Sequence, residues 1–325
     1  MPNRAVVFAT RALPGEAFAE LARSCQLEVW PDRVAPSPEV LAERAAPAEG
    51  LFCLLADRVD DRLLARCPRL RAISSLSVGV DHIDLAAATA RGIPVGHTPG
   101  VLTETTADLA FALLLAVARR VVEADRWVRS GGWRPDAVWE PDLLLGRDVH
   151  GATLGIVGTG AIGQALARRA RGFGMHVLAW SRTRRAIEGV EWTSLEDLLA
   201  RADFVSLHVA RCDETRGLLG ARALARMKPG AVLVNTARGG IVDELALAEA
   251  LRAGRLAGAG LDVFECEPLV PASPLRELPN VVLTPHIGSA SAATRGRMAE
   301  LAVRNLLAAL AGKRMPHCAN PEVYR

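Results

Sequence analysis

Aromatic residues make up only 4% of this 325-residue sequence, with a single tyrosine, and there are only two lysines, Lys228 and Lys313. The positive charge is therefore almost all arginine, dispersed among acids to a net charge of +3, so no nucleic-acid-binding face is expected. Six cysteines (Cys25, Cys53, Cys67, Cys212, Cys266, Cys318) form no C-x-x-C pair. They read as reduced thiols of a cytoplasmic protein, and no metal site is expected. The longest apolar run, Leu109–Ala118, is bounded by Asp108 and Arg119. It falls short of the roughly 20 residues that span a bilayer, so no membrane partner is expected. The start, PNRAVVFAT, reads as a first strand without a targeting pattern. What the chain has in plenty is hydrophobic residues, 50% of the total, enough at this length for two cores.

Thr153–Gly163, TLGIVGTGAIG, joins a short apolar strand to Gly158-x-Gly160-x-x-Gly163 and then to a helix. Strand, turn and helix in that order are the setting in which these glycines bind a dinucleotide. Gly158 permits the tight turn, Gly160 lets a pyrophosphate approach the backbone, and Gly163 lets helix and strand pack closely; the helix N-terminus faces the phosphates. A plain Gly-rich turn is the alternative. Apolar runs and amphipathic stretches alternate both before and after this motif, predicting two parallel sheets. Strands are expected at Ala5–Ala9, Gly50–Leu55, Arg71–Leu76, Val177–Trp180, Phe204–His208, Ala231–Asn235, Gly258–Asp262 and Val281–Thr284. A long helix is expected from an N-cap at Thr103 through Arg120, and a last helix over Ser291–Ala311, stopped at Gly312. The expected fold is α/β, with two doubly wound parallel-sheet domains. A Rossmann cofactor domain (102–289) is inserted in a flavodoxin-like substrate domain (1–101 and 290–325). Between 120 and 147 periodicity fades while Trp127, Trp133 and Trp139 accumulate, so this stretch reads as an irregular arm.

The strand Val177–Trp180 is followed by Ser181-Arg182-Thr183, where a ribose-binding carboxylate is expected about 20 residues past the glycines. Two hydroxyls and a guanidinium there favour a 2′-phosphate, hence NADP over NAD; the alternative is a solvated basic loop that accepts NAD. Arg238 (in NTARGG), Glu267 (in DVFECEP) and His286 (in LTPHIGSA) each follow a predicted strand, at the sheet edge where such folds bind ligands. An arginine there can clamp a carboxylate, and a histidine beside a glutamate can exchange a proton. Taken singly, each also reads as a surface cation or a structural side chain.

LGIVGTGAIGQALARRARGFGMHVLAWSRT, VNTARGGIVDELALAEAL, AGAGLDVFECEP and LTPHIGSA resemble the D-isomer-specific 2-hydroxyacid dehydrogenase family. SVGVDHIDLAAATARGIPVGHTPGVLTETTADLAFALLLAVARR resembles its glyoxylate/hydroxypyruvate reductase branch, so the likeness runs from about Leu51 to Leu307. The resemblance implies a catalytic set of Arg238, Glu267 and His286. His286 would protonate the keto oxygen as hydride arrives, Glu267 would hold the imidazole, and Arg238 would bind the carboxylate and polarise the carbonyl. It implies that the N–H groups of Val78 and Gly79 hold the substrate carboxylate, with Leu55, Ser77 and Ser289 beside it. For the cofactor it implies Thr106, Gly160, Ala161, Ile162, Val209, Thr215, Ala237, Asp262, His286 and Gly288, with Asp262 at the carboxamide end of the nicotinamide. The Trp-rich segment resembles a dimerisation arm, with Trp139 reaching the partner's active site; core packing of the arm is the alternative.

The expected activity is NADP-preferring reduction of glyoxylate to glycolate and hydroxypyruvate to D-glycerate by a homodimer. Other acids on the same scaffold (phosphoglycerate, bulkier 2-keto acids, phosphite) and a non-catalytic NAD(H)-sensing protein are the competing readings. Hydrolysis of a nucleoside thioether would need a larger substrate domain. A phosphoglycerate enzyme often carries a C-terminal regulatory domain, which the short stretch after the last helix does not provide.

Overall fold

A computed structural model describes residues 4–13, 15–136, 140–184 and 187–325. The chain divides into two compact units, Met1–Leu102 with Ala290–Arg325, and Thr103–Ser289.

In the first unit, β1 (Val6–Ala9), β2 (Gln26–Val29), β3 (Gly50–Cys53), β4 (Ala72–Ser75) and β5 (Val95–Gly96) form a parallel sheet in the order β2-β1-β3-β4-β5. Every residue of β3 and β4 is buried, the pattern of strands covered on both faces by helices. Fully buried Phe8, Leu51 and Ile73 anchor one hydrophobic cluster of this sheet and Phe52 a second one, each side chain contributing about 1.5–3 kcal/mol. The helix Ala292–Leu310 is capped by Ser291 and lays Ala302, Val303 and Leu306 into the cluster of Phe52. The strand order reverses between β1 and β3.

The second unit carries β6 (Thr153–Val157), β7 (His176–Trp180), β8 (Glu191–Trp192), β9 (Phe204–Leu207), β10 (Val232–Asn235), β11 (Gly258–Leu261) and β12 (Val281–Leu283), all parallel. Their order, β12-β11-β10-β9-β6-β7-β8, reverses at β6 and β9. Two doubly wound α/β sheets are therefore present, as the alternating pattern predicts. Ligands of such sheets bind beyond the strand C-termini at these reversal points. The apolar helix Thr103–Ala118 lies against β11, where a Cβ on Gly260 would come 2.9 Å from Cβ of Leu113.

Several local expectations change. β2, β5 and β8 are missing from the predicted strands. β5 and β8 have two residues each, and β2 alternates exposed with half-buried residues, so none shows an apolar run. The helices Pro38–Ala45 and Leu85–Ala90 continue the strand–helix alternation of this unit. Thr103 is the first helical residue rather than the cap, and its helix ends at Ala118 rather than Arg120. Arg120 then takes a left-handed conformation, φ 53°, and a second helix, Val121–Arg129, opens the segment expected to be irregular. The segment returns to its origin, with the Arg147 N–H donating to the Ala118 carbonyl at 2.8 Å. Trp127 is half-buried and Trp133 is 60% exposed; Trp139 lies outside the described residues.

Candidate active site

β6 delivers the glycine turn to the reversal point. Gly158 has φ 101°, and a Cβ there would lie 2.6 Å from the His208 carbonyl carbon, at the end of β9. A Cβ on Gly163 would collide with the Gly158 carbonyl oxygen. A Cβ on Gly160 would meet nothing within 4 Å. Gly160 is the N-cap of the helix Ala161–Gly172 and supplies no side-chain cap, so Ala161 and Ile162 open a bare helix N-terminus. Open space before uncapped N–H groups fits the pyrophosphate of a dinucleotide. Burial pushes the neighbouring His208 imidazole down to about 4, and its Nε2 lies 2.9 Å from Ser206 Oγ, so it is neutral near pH 7.

Beyond β7, Ser181 is half-buried while Arg182 and Thr183 are exposed. Arg182 reaches Glu214 at 3.3 Å. Glu214 and Val209 belong to the loop after β9. Thr215 folds this loop by donating to the Ala210 carbonyl at 2.7 Å and accepting the Cys212 N–H at 2.9 Å.

Three further loops carry Arg238, Glu267 and His286. At the end of β10, Asn235 is buried; its Oδ1 accepts the Ala237 N–H at 3.0 Å and its Nδ2 donates to the Arg238 carbonyl at 3.0 Å. Arg238 Nη1 donates to the Ala237 carbonyl at 2.8 Å. A Cβ on Gly239 would run into the Phe264 carbonyl, so glycine is required where this loop passes the one bearing Glu267. Glu267 Oε1 accepts the Phe264 N–H at 3.0 Å, and Oε2 lies 2.7 Å from His286 Nδ1. Burial pushes the Glu267 carboxyl up, but its hydrogen bond and attraction to His286, with the charge of Arg238, bring it below its ordinary value. The structure thus brings all three residues together.

His286 has φ 52°, a conformation uncommon outside glycine, and its N–H donates to the Asp262 carbonyl at 2.9 Å. The Asp262 carboxylate is buried and accepts from Thr284 Oγ1 at 2.6 Å and from the N–H groups of Ile287 and Gly288 at 2.8 Å each. Burial raises its carboxyl above the ordinary value despite those donors. Thr106 is buried and donates to the Gly288 carbonyl at 3.0 Å. Asp262 and Thr106 therefore engage the loop that carries His286, and Ser289 follows it half-buried.

In the first unit, Leu55 follows β3 and is 37% exposed. Ser77 follows β4 and is buried, its hydroxyl 2.6 Å from Ser75 Oγ; Val78 and Gly79 are half-buried. The sequence-predicted site residues do not include Asn235, nor His97, whose Nδ1 lies 3.0 Å from the Val78 carbonyl. The only signal of the former is a polar residue closing the apolar strand Val232–Asn235.

Residues 111–288 match the family profile of the D-isomer-specific 2-hydroxyacid dehydrogenase NAD-binding domain. A glyoxylate reductase of Korarchaeum cryptofilum is 51% identical over 98% of this chain and 97% of its own. A crystallised protein of Thermus thermophilus is 52% identical with a TM-score of 0.92, covering 97% of this chain and 99% of its own. An NADPH-dependent glyoxylate/hydroxypyruvate reductase of Sinorhizobium meliloti, solved with NADP and malonate, is 32% identical with a TM-score of 0.87, covering 98% and 97%.

Proposed function

The chain belongs to the D-isomer-specific 2-hydroxyacid dehydrogenase family, and we propose that it reduces small 2-keto acids with NAD(P)H, taking glyoxylate to glycolate and hydroxypyruvate to D-glycerate. The observation that carries this reading is the 2.7 Å pairing of His286 Nδ1 with Glu267 Oε2. With Nδ1 held by the carboxylate, Nε2 is the nitrogen that gives a proton to the keto oxygen, and Glu267 fixes the orientation of the ring for that transfer. Bound nicotinamide supplies the hydride. After the hydroxy acid leaves, His286 recovers its proton from water. Arg238 binds the carboxylate and polarises the carbonyl. The N–H groups of Val78 and Gly79 hold the carboxylate, with Leu55, Ser77 and Ser289 beside it. Gly158, Gly160, Ala161, Ile162 and Gly163 hold the pyrophosphate. Val209, Thr215, Ala237 and Gly288 line the rest of the cofactor, and Thr106 and Asp262 support it through the 284–288 loop.

The Ser181-Arg182-Thr183 turn gives the enzyme a preference for NADP. The arm at 120–147 forms the contact of a homodimer, supported by the exposure of Val121, Val128, Trp133 and Leu145 within one short segment. All six cysteines are free thiols, in keeping with a reducing cytoplasm. Among the described residues no helix is long and apolar enough to cross a membrane. Initial rates with glyoxylate, hydroxypyruvate and a bulkier 2-keto acid, each with NADPH and NADH, test the proposal. Turnover of none of them would overturn it.

A further inference from the structure

The backbone after β4 is held from one side. The Ser77 carbonyl accepts the Thr98 N–H at 2.8 Å, and the Val78 carbonyl lies 3.0 Å from His97 Nδ1. Both peptides are trans, and in a planar trans peptide the C=O and the following N–H point in opposite directions. Thr98 therefore directs the Val78 N–H, and His97 directs the Gly79 N–H, away from the same segment of chain. Among the described residues no acceptor takes either N–H. Two successive amides facing one way make a concavity for an anion.

His97 is itself anchored. Its carbonyl accepts from Nδ2 of the fully buried Asn305 at 2.9 Å, and its N–H donates to the His317 carbonyl at 3.3 Å. Asn305 Oδ1 accepts the His317 N–H at 3.0 Å, closing the loop. Gly96 makes room for this, since a Cβ there would lie 2.7 Å from Cβ of Asn305. The imidazole thus projects from a fixed backbone onto one carbonyl.

We propose that His97 is a positioning residue that aims the Gly79 N–H at the substrate carboxylate by donating its Nδ1–H to the Val78 carbonyl. This rests on the preceding assignment of Val78 and Gly79 to that carboxylate. The donor is present in the Nδ1–H tautomer and in the imidazolium alike, so the effect is geometric and not a pH switch.

The test compares His97→Ala, His97→Asn and His97→Gln in the holoenzyme. The amide nitrogen of Asn stands near the place of Nδ1, whereas that of Gln stands near Nε2. His97→Ala should raise KM for glyoxylate about tenfold, the worth of one hydrogen bond to a charged group, with kcat largely kept and the affinity for NADPH unchanged. Oxalate, a carboxylate that is not reduced, should weaken by the same factor in calorimetry. His97→Asn should restore both constants and His97→Gln should not; these two carry the comparison if the Ala variant unfolds. Equal defects in Asn and Gln, or unchanged oxalate affinity in the variants, would overturn the proposal, as would wild-type enzyme that binds no oxalate. Wild-type enzyme that binds oxalate yet reduces no 2-keto acid would overturn the proposed activity alone. The oxalate affinities and the orientation of the 78–79 peptide in His97→Ala crystals would still decide the role of His97.

Discussion

His286 Nδ1 and Glu267 Oε2 lie 2.7 Å apart, although 19 residues separate them in sequence. The carboxyl of Glu267 is pushed up by burial but falls below its ordinary value because His286, and more weakly Arg238, favour its charged form. A lowered carboxyl stabilises the fold above its unfolded value, and that contribution disappears as pH falls through the folded one. His286→Asn should cut kcat for glyoxylate by roughly 100-fold or more while NADPH binding survives. Glu267→Gln should lower kcat as well, because the carboxylate that holds Nδ1 and aims Nε2 at the substrate is lost. Stopped-flow rates over pH 5–9 check both; near-normal turnover of His286→Asn would remove that residue from the mechanism.

Arg238 is tied to its own loop through the Ala237 carbonyl and through Asn235. Its planar fork suits a carboxylate in a way that a lysine ammonium does not. Arg238→Lys should therefore raise KM and lower kcat together. Steady-state kinetics that leave both constants unchanged would exclude the clamp.

Arg182 meets Glu214 at 3.3 Å with both side chains exposed, a pairing that contributes little on its own. A 2′-phosphate can displace it and gain charge-assisted hydrogen bonds of about 1.5–3 kcal/mol, roughly tenfold or more in affinity. NADPH should have the lower KM, Arg182→Ala should raise it with little effect on NADH, and Ser181→Asp should turn the preference toward NADH. A wild type that favours NADH, with constants unmoved by Arg182→Ala, would leave this turn a solvated basic loop.

Trp133 and Leu145, 60% and 64% exposed, lie on the segment whose base is pinned at Ala118. Their burial against a second copy predicts a particle of twice 34.6 kDa by light scattering at micromolar concentration. Trp133→Glu should weaken that assembly. A monomer that keeps full activity on dilution would contradict the dimer.

The sequence by itself determined the parts whose physics is local. The glycine turn was legible because Gly158, Gly160 and Gly163 answer to backbone geometry within six residues, and the central strands because burial on both faces demands unbroken apolar runs. Helix caps such as Asp243, whose Oδ1 accepts the Ala246 N–H at 3.0 Å, are local in the same way. The edge strands Gln26–Val29 and Glu191–Trp192 escaped notice because exposed strands need no such run. Arg238, Glu267 and His286 stood out one by one only as polar residues after strands, and the family resemblance grouped them. Only the tertiary structure decided that Glu267 faces His286, that Asp262 holds the 284–288 loop, and that His97 takes the Val78 carbonyl. Each of these pairings joins loops distant in sequence, and their distance and direction depend on how parallel strands order themselves in a sheet, which no short stretch of chain encodes.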